Sequence, residues 1–240
     1  MRDLVIRITK EVCQSYGFAP LDGGTYLKKL DPDNRSVEAA AILAMNDALE
    51  QLGVKNFAIY LSHSEVLANI LETVRVAPDT QPLTFAAIRN FSKFNVEGFV
   101  IELQEAGVAE KASTILADLF LKTDEILNQE DDINQTVVSN LLNIINTETL
   151  SELGQILRLT GRKPVLIDPA LPCELPYGPG IVIEARTSGL EFLGDGGCIT
   201  RVDEPPVFAV SFDIENIIRL IENSSAVPSN GAVSRRSPVL

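Results

Sequence analysis

The sequence predicts an α+β protein in which a strand-and-helix core is split by a long helical stretch. Three observations lead there. Short runs with strand-like patterning stand at 57–61 and return at 165–167, 181–185, 190–193 and 207–212. Helical periodicity dominates the chain between them, from 64 to about 160. Hydrophobic residues make up 45% of the 240 residues, enough to build a packed core rather than a disordered chain.

The elements follow in order. Residues 3–16 place Leu4, Val5, Ile8, Val12 and Tyr16 on one helical face, and Gly17 ends the helix. This amphipathic helix reads equally as one docked on its own core and as a dimer interface. Gly23-Gly24-Thr25-Tyr26-Leu27 is a short strand candidate. Asp33 or Ser36 can cap a second helix that runs to about Leu52, before Gly53. Phe57 to Leu61 is a strand that leads to Ser62-His63. Helices are then expected at 64–74, 88–94 leading to 97–105, 110–120, 123–129 and 134–154. Glu130-Asp131-Asp132 reads as a solvated helix start, because no further carboxylates converge on it by spacing to hold a metal. Val165-Leu-Ile167 is a buried strand. Ile181–Ala185 and Leu190–Leu193 pair as a hairpin across Thr187-Ser-Gly189. Gly194-Asp-Gly-Gly197 lacks the helix and the Lys-Ser/Thr of a phosphate loop, so it reads as a hairpin or strand turn. Val207–Phe212 is the last strand, and Asp213 caps a helix through Glu222. Residues 223–240, rich in Ser, Pro, Asn and Gly, read as a disordered tail.

Composition excludes several classes. The net charge is −13 and the pI near 4.5, with Arg235-Arg236 in the tail as the longest basic run. Nucleic-acid binding needs clustered Lys and Arg to displace phosphate counterions, so nucleic acid is not the expected partner. No run of about 18 apolar residues suggests a membrane span, and the charged N-terminus is not a signal peptide. Cys13, Cys173 and Cys198 are odd in number and widely spaced, which suits a reducing cytoplasm and offers no zinc site.

Five weak motifs, taken in order, carry more than any one of them. They are Tyr16-Gly17-Phe18 after the first helix, Asp31–Ala40 with Leu52-Gly-Val and Ser62-His63, Leu171–Glu184, Gly194–Thr200, and Pro206–Ile218. Together they resemble the catalytic core of histidyl-tRNA synthetases. The resemblance implies a class II aminoacyl-tRNA synthetase-like fold: a mixed, mainly antiparallel sheet flanked by helices, with a helical insertion and a shortened N-terminal half. It divides the chain into 1–63 and 163–222 as the two parts of the core and 64–162 as the insertion. Between Phe18 and Asp31 the family carries a long hairpin whose arginine grips the ATP α-phosphate, and that segment is missing here. No anticodon-binding domain follows the core.

The same resemblance identifies three degenerate positions. Cys173, Cys198 and Ile218 stand where the family has arginine. Adenylate formation needs positive charge around the reacting phosphates. A thiol or an aliphatic side chain supplies none, so no catalytic residue and no cofactor are expected. Tyr177 and Glu184 match a tyrosine and a glutamate of the family and are the candidate remnants of a histidine pocket. The alternative, which the sequence favours, is a tyrosine packed beside a turn and a glutamate at a strand end. His63, the one histidine, reads as a capping or packing residue rather than a catalytic one.

The reading that follows is a non-catalytic paralogue acting as a regulatory or assembly subunit. The resemblance offers the regulatory subunit of ATP phosphoribosyltransferase as its type, with the catalytic subunit as protein partner in histidine biosynthesis. A structural dimeric adaptor without ligand, its homodimer formed through the N-terminal helix, is one alternative. A reduced ligase for another amino or carboxylic acid is the other.

Overall fold

The computed structural model describes residues 1–30, 35–127, 147–161, 163–171, 177–200 and 204–225. Seven strands form one sheet: β1 (Ala19–Pro20), β2 (Thr25–Lys29), β3 (Phe57–His63), β4 (Val165–Ile167), β5 (Ile181–Thr187), β6 (Phe192–Ile199) and β7 (Val207–Phe212). Their order is β1-β2-β7-β6-β5-β3-β4. Every pairing is antiparallel except β3 with β4. The sheet is therefore mixed and mainly antiparallel, as expected.

One side of the sheet is a hydrophobic layer. Ile59 and Leu61 of β3, Ile183 and Ala185 of β5, and Phe208 and Val210 of β7 point into it and are fully buried. Helices α1 (Arg2–Ser15), α2 (Ser36–Gln51) and α8 (Ile214–Ser225) cover that side. In α2 the apolar residues run almost all round, so Ala41, Ile42, Ala44, Met45, Ala48 and Leu49 are all buried. Gly17 (φ 81°) and Gly53 (φ 76°) take the left-handed conformation that ends α1 and α2.

Helix α1 docks on this chain's own core. Val5, Thr9, Val12 and Cys13 are its buried residues, whereas Leu4 is 42% exposed. The inward stripe is thus rotated from the one that hydrophobicity marks, because the Thr9 hydroxyl meets the Tyr26 hydroxyl at 2.7 Å inside the core. Tyr16 closes the helix end by donating to Asp47 of α2 at 2.6 Å, and Lys163 donates to the same carboxylate at 2.9 Å.

Several boundaries differ from the sequence reading. Ser36 is the first residue of α2 rather than its cap, and Asp33 lies outside the described residues. Helix α3 (Ser64–Thr73) is as expected. Residues 88–94 instead divide between α4 (Gln81–Arg89) and a 3-10 turn (Phe91–Lys93). The chain then enters α5 (Val96–Glu105), where Asn95 accepts from the Gly98 backbone as N-cap. The two helices expected at 110–120 and 123–129 are one helix, α6 (Glu110–Leu127). Of the expected 134–154 helix, α7 (Thr147–Thr160) is described; residues 128–146, with Asp131 and Asp132, lie outside the described residues.

The largest correction concerns Gly194–Gly197. These residues form the middle of β6, with β5 on one side and β7 on the other. Glycine and aspartate ordinarily mark turns. Here the glycines serve close packing. A Cβ at Gly194 would stand 2.3 Å from the Ser211 carbonyl oxygen, and one at Gly196 would stand 2.7 Å from that of Ala209.

Candidate functional site

The second side of the sheet carries a polar row. Antiparallel register sets Tyr60 opposite Glu184, Glu184 opposite Asp195, Asp195 opposite Ser211, and Ser211 opposite Thr25. Cross-strand partners share a face, so five strands place one residue each in a line across the sheet. The Thr25 and Ser211 hydroxyls lie 3.2 Å apart. Arg186, two residues after Glu184, stands on the same face. Its Nε donates to Glu184, its Nη1 lies 3.7 Å from Asp168, and its guanidinium sits 5.0 Å from the centre of the Tyr60 ring. A bulge in the β5–β6 pairing falls between Ala185 and Arg186, where the register shifts.

Tyr177 closes the row from above. Its hydroxyl donates to Oδ1 of Asp195 at 2.9 Å, and its ring packs on Val182 and over Gly197. The two remnant candidates, Tyr177 and Glu184, are thus brought to one face with Asp195 linking them. Glu184 is not at a strand end: it is the fourth of the seven residues of β5 and is buried. The sequence placed it at the end because Glu184 follows the apolar run Ile181–Ile183, whereas the strand continues through Thr187.

The electrostatics of this face are set by burial and by these pairings. Burial works against the Arg186 charge, but the hydrogen bond to Glu184 and the nearby Glu184 and Asp168 charges raise its pKa above the ordinary value. Burial pushes the Asp195 carboxyl up; the Tyr177 hydrogen bond opposes this and the Glu184 charge adds to it. Burial, then the Asp195 charge, pushes the Tyr177 phenol up as well, so it acts as a hydrogen-bond donor at neutral pH.

Of the three positions expected to stand where the family has arginine, the two described do not join this face. Cys198 lies on the helix side of the sheet, 7% exposed, beneath α2. Ile218 is on α8 and packs half-buried against the main core. Cys173 lies outside the described residues. Arg186 and Asp168 belong to no motif and Asp195 reads as a turn residue, although alternation along Val182-Ile-Glu-Ala-Arg186 puts Glu184 and Arg186 on one side.

A second polar cluster joins four elements, β3, α2, α3 and α7. His63 ends β3 and caps α3, its Nδ1 accepting from the Glu65 backbone at 3.1 Å. Its Nε2 lies 3.3 Å from Oε2 of Glu152 on α7, within ion-pairing distance. Arg35 donates to Glu38 of α2 at 3.0 Å and to Glu152, while Thr149 donates to Glu65 at 3.1 Å. The structure thus gives His63 a capping role. Among the described residues, no group of three or more His, Cys, Asp or Glu is arranged to hold a metal ion. None of the described helices is long and apolar enough to cross a membrane.

What this arrangement can do chemically is limited. Two carboxylates already neutralise the guanidinium beside the row, so it is poorly placed to balance a phosphate. The face can hold hydrogen bonds and compact polar groups.

No family model matches the chain. Histidine–tRNA ligase of Treponema denticola is 23% identical over 171 residues, which are 69% of this chain and 37% of that protein. Histidyl-tRNA synthetase from Nostoc sp. PCC 7120 superposes with a TM-score of 0.64 at 17% identity, over 84% of this chain and 50% of that one. An ATP phosphoribosyltransferase regulatory subunit/histidyl-tRNA synthetase from Bacillus halodurans gives 0.61 at 16%, over 82% and 52%. A chain of the ATP phosphoribosyl transferase (HisG:HisZ) complex from Thermotoga maritima gives 0.51 at 10%, over 82% and 70%. The chain spans little more than a third of the curated relative and about half of the synthetase structure. The mixed, mainly antiparallel sheet flanked by helices and these superpositions show that the chain has the class II synthetase-like fold seen in those histidyl-tRNA synthetase-like structures.

Proposed function

We propose that this chain is a non-catalytic histidyl-tRNA synthetase-like paralogue that works as a regulatory or assembly subunit by binding another protein. The observation that carries this reading is Arg186. The cation beside the polar row is bound to Glu184 and stands beside Asp168, and Cys198 lies in the core. Adenylate chemistry needs an uncommitted positive charge, and removing one such group typically costs several kcal/mol of transition-state stabilisation. The likeness to a chain of the HisG:HisZ complex supports an ATP phosphoribosyltransferase catalytic subunit as the partner. The net charge of −13 supports a protein rather than a nucleic acid. In this reading the protein works in the cytoplasm, and α3–α7 form the insertion at 64–162 between the two parts of the core.

The test is co-expression with a short-form ATP phosphoribosyltransferase catalytic chain, followed by size-exclusion chromatography with light scattering. Co-elution as a defined complex is expected. Separate elution, together with steady pyrophosphate exchange with any amino acid, overturns the reading in favour of a reduced ligase. The engaged Arg186 also favours an adaptor without ligand. Calorimetry with histidine separates the two: heat at millimolar histidine supports a sensing subunit, and none supports the adaptor.

A further inference from the structure

The surroundings of Arg186 have the composition of a binding site for a planar cation. Tyr60 supplies an aromatic face at 5.0 Å, Glu184 accepts from Nε, and Asp168 approaches Nη1 at 3.7 Å. All three partners are buried: Tyr60 is 9% exposed, Glu184 8% and Asp168 6%. They are held independently of Arg186. Asp168 is fixed by accepting from the Ala170 backbone at 2.8 Å, and its own N–H donates to the Leu61 carbonyl at 3.0 Å. Tyr60 and Glu184 are central positions of paired strands. The group that fills the space is the long, flexible one, and its side chain remains 19% exposed.

We propose that Tyr60, Asp168 and Glu184 form a guanidinium-binding cage that the chain fills with its own Arg186. A small guanidinium compound from solution enters the cage once that side chain is removed. The chemistry favours guanidinium over ammonium. A planar fork can direct several in-plane N–H groups at carboxylates while its face lies over a ring, and it sheds its water more readily than a compact ammonium. Emptying the cage leaves two buried carboxylates beside the Tyr60 ring, and a cation restored there stabilises the folded state by RT ln(1 + [L]/Kd). This inference does not rest on the partner proposed above; it concerns a site on the sheet.

The experiment is thermal unfolding of the full chain, its Arg186→Ala variant and the Arg186→Ala/Glu184→Gln double variant, each with millimolar methylguanidinium or methylammonium. The unmodified chain is expected to show no rise in midpoint with either compound. The alanine variant should melt lower and recover by several degrees with methylguanidinium, and much less with methylammonium. The double variant should lose that recovery. If the alanine variant does not fold alone, its near-ultraviolet circular dichroism should return on refolding in methylguanidinium. The proposal is overturned if the alanine variant responds no more than the unmodified chain, if the double variant recovers equally, or if refolding is not rescued.

Discussion

Tyr177 lies so close over Gly197 that a Cβ added to the glycine would stand 2.5 Å from the tyrosine ring. The ring occupies the space that a side chain on β6 would need. The phenol can therefore reach across to Asp195, two positions back on the same strand and face. Gly197→Ala should expel the ring and break the bond to Asp195, at a cost of about 1–3 kcal/mol by overpacking. Gly194→Ala should cost more, because the obstacle there is the Ser211 backbone oxygen at 2.3 Å, which has no rotamer to change. Urea unfolding of both variants checks the order of the two effects, and tyrosine fluorescence reports the displacement in the first.

Glu184 and Asp195 face each other directly across the β5–β6 ladder, and like charges so placed repel. Asp195→Asn removes the repulsion and keeps an acceptor for Tyr177. It should raise stability at neutral pH by on the order of 0.5 kcal/mol, the scale of one cross-strand pair. The sign with pH follows from the raised carboxyl pKa. A group protonated more readily in the folded state favours folding in acid, and that contribution is lost as pH rises through its folded pKa. The advantage of the asparagine variant should therefore shrink as pH falls toward 4, which paired denaturant titrations would show.

His63 gives the protein a titration of the opposite sense. Burial lowers its pKa from the ordinary 6.5, although Glu152 and Glu65 pull it up and Arg35 down. A depressed base binds more protons when unfolded, so stability is held above about pH 6.5 and declines as pH falls below it. Protonation also converts Nδ1 from the acceptor that caps α3 into a donor. The slope from this one group is at most about 1.4 kcal/mol per pH unit. His63→Gln should be less stable at pH 7.5 and should lack this component of the slope between pH 6.5 and 5. Because the chain holds one histidine, the difference between the two curves isolates it.

The buried thiols should be inert. Burial pushes Cys13 up to about 12, and burial followed by the Glu38 charge also raises Cys198. Thiolate is the reactive form, so a disulfide reagent at mildly alkaline pH should leave both unlabelled in the native protein and label both in denaturant. Peptide mass spectrometry scores each position separately. Rapid native labelling of Cys198 would contradict its place beneath α2.

Much of the architecture could be read from local patterning, because most elements obey one period. The apolar run Val207–Phe212, the cap at Asp213, which accepts from the Asn216 backbone at 2.9 Å, and the stripe Ile214, Ile217, Ile218 and Ile221 needed no partner to be recognised. Likewise, Gly17 and Gly53 marked the ends of α1 and α2. Residues 194–197 were misread because a glycine that opens a turn and a glycine that admits a neighbouring backbone look identical in sequence. Only β7, whose Ser211 carbonyl oxygen would stand 2.3 Å from a Cβ at Gly194, separates them.

The site divides in the same way. The resemblance marked Cys173, Cys198 and Ile218 as expected sites of lost arginines and Tyr177 and Glu184 as candidate pocket residues. It could not show that Cys198 faces the core, that Asp195 stands against Glu184, or that Arg186 is held by Tyr60, Glu184 and Asp168. Those relations are set by strand register and by which face of the sheet the helices cover. Composition sets what charges a chain can bring. Pairing across strands decides which of those charges meet, and so whether a cation is free to act or already spoken for.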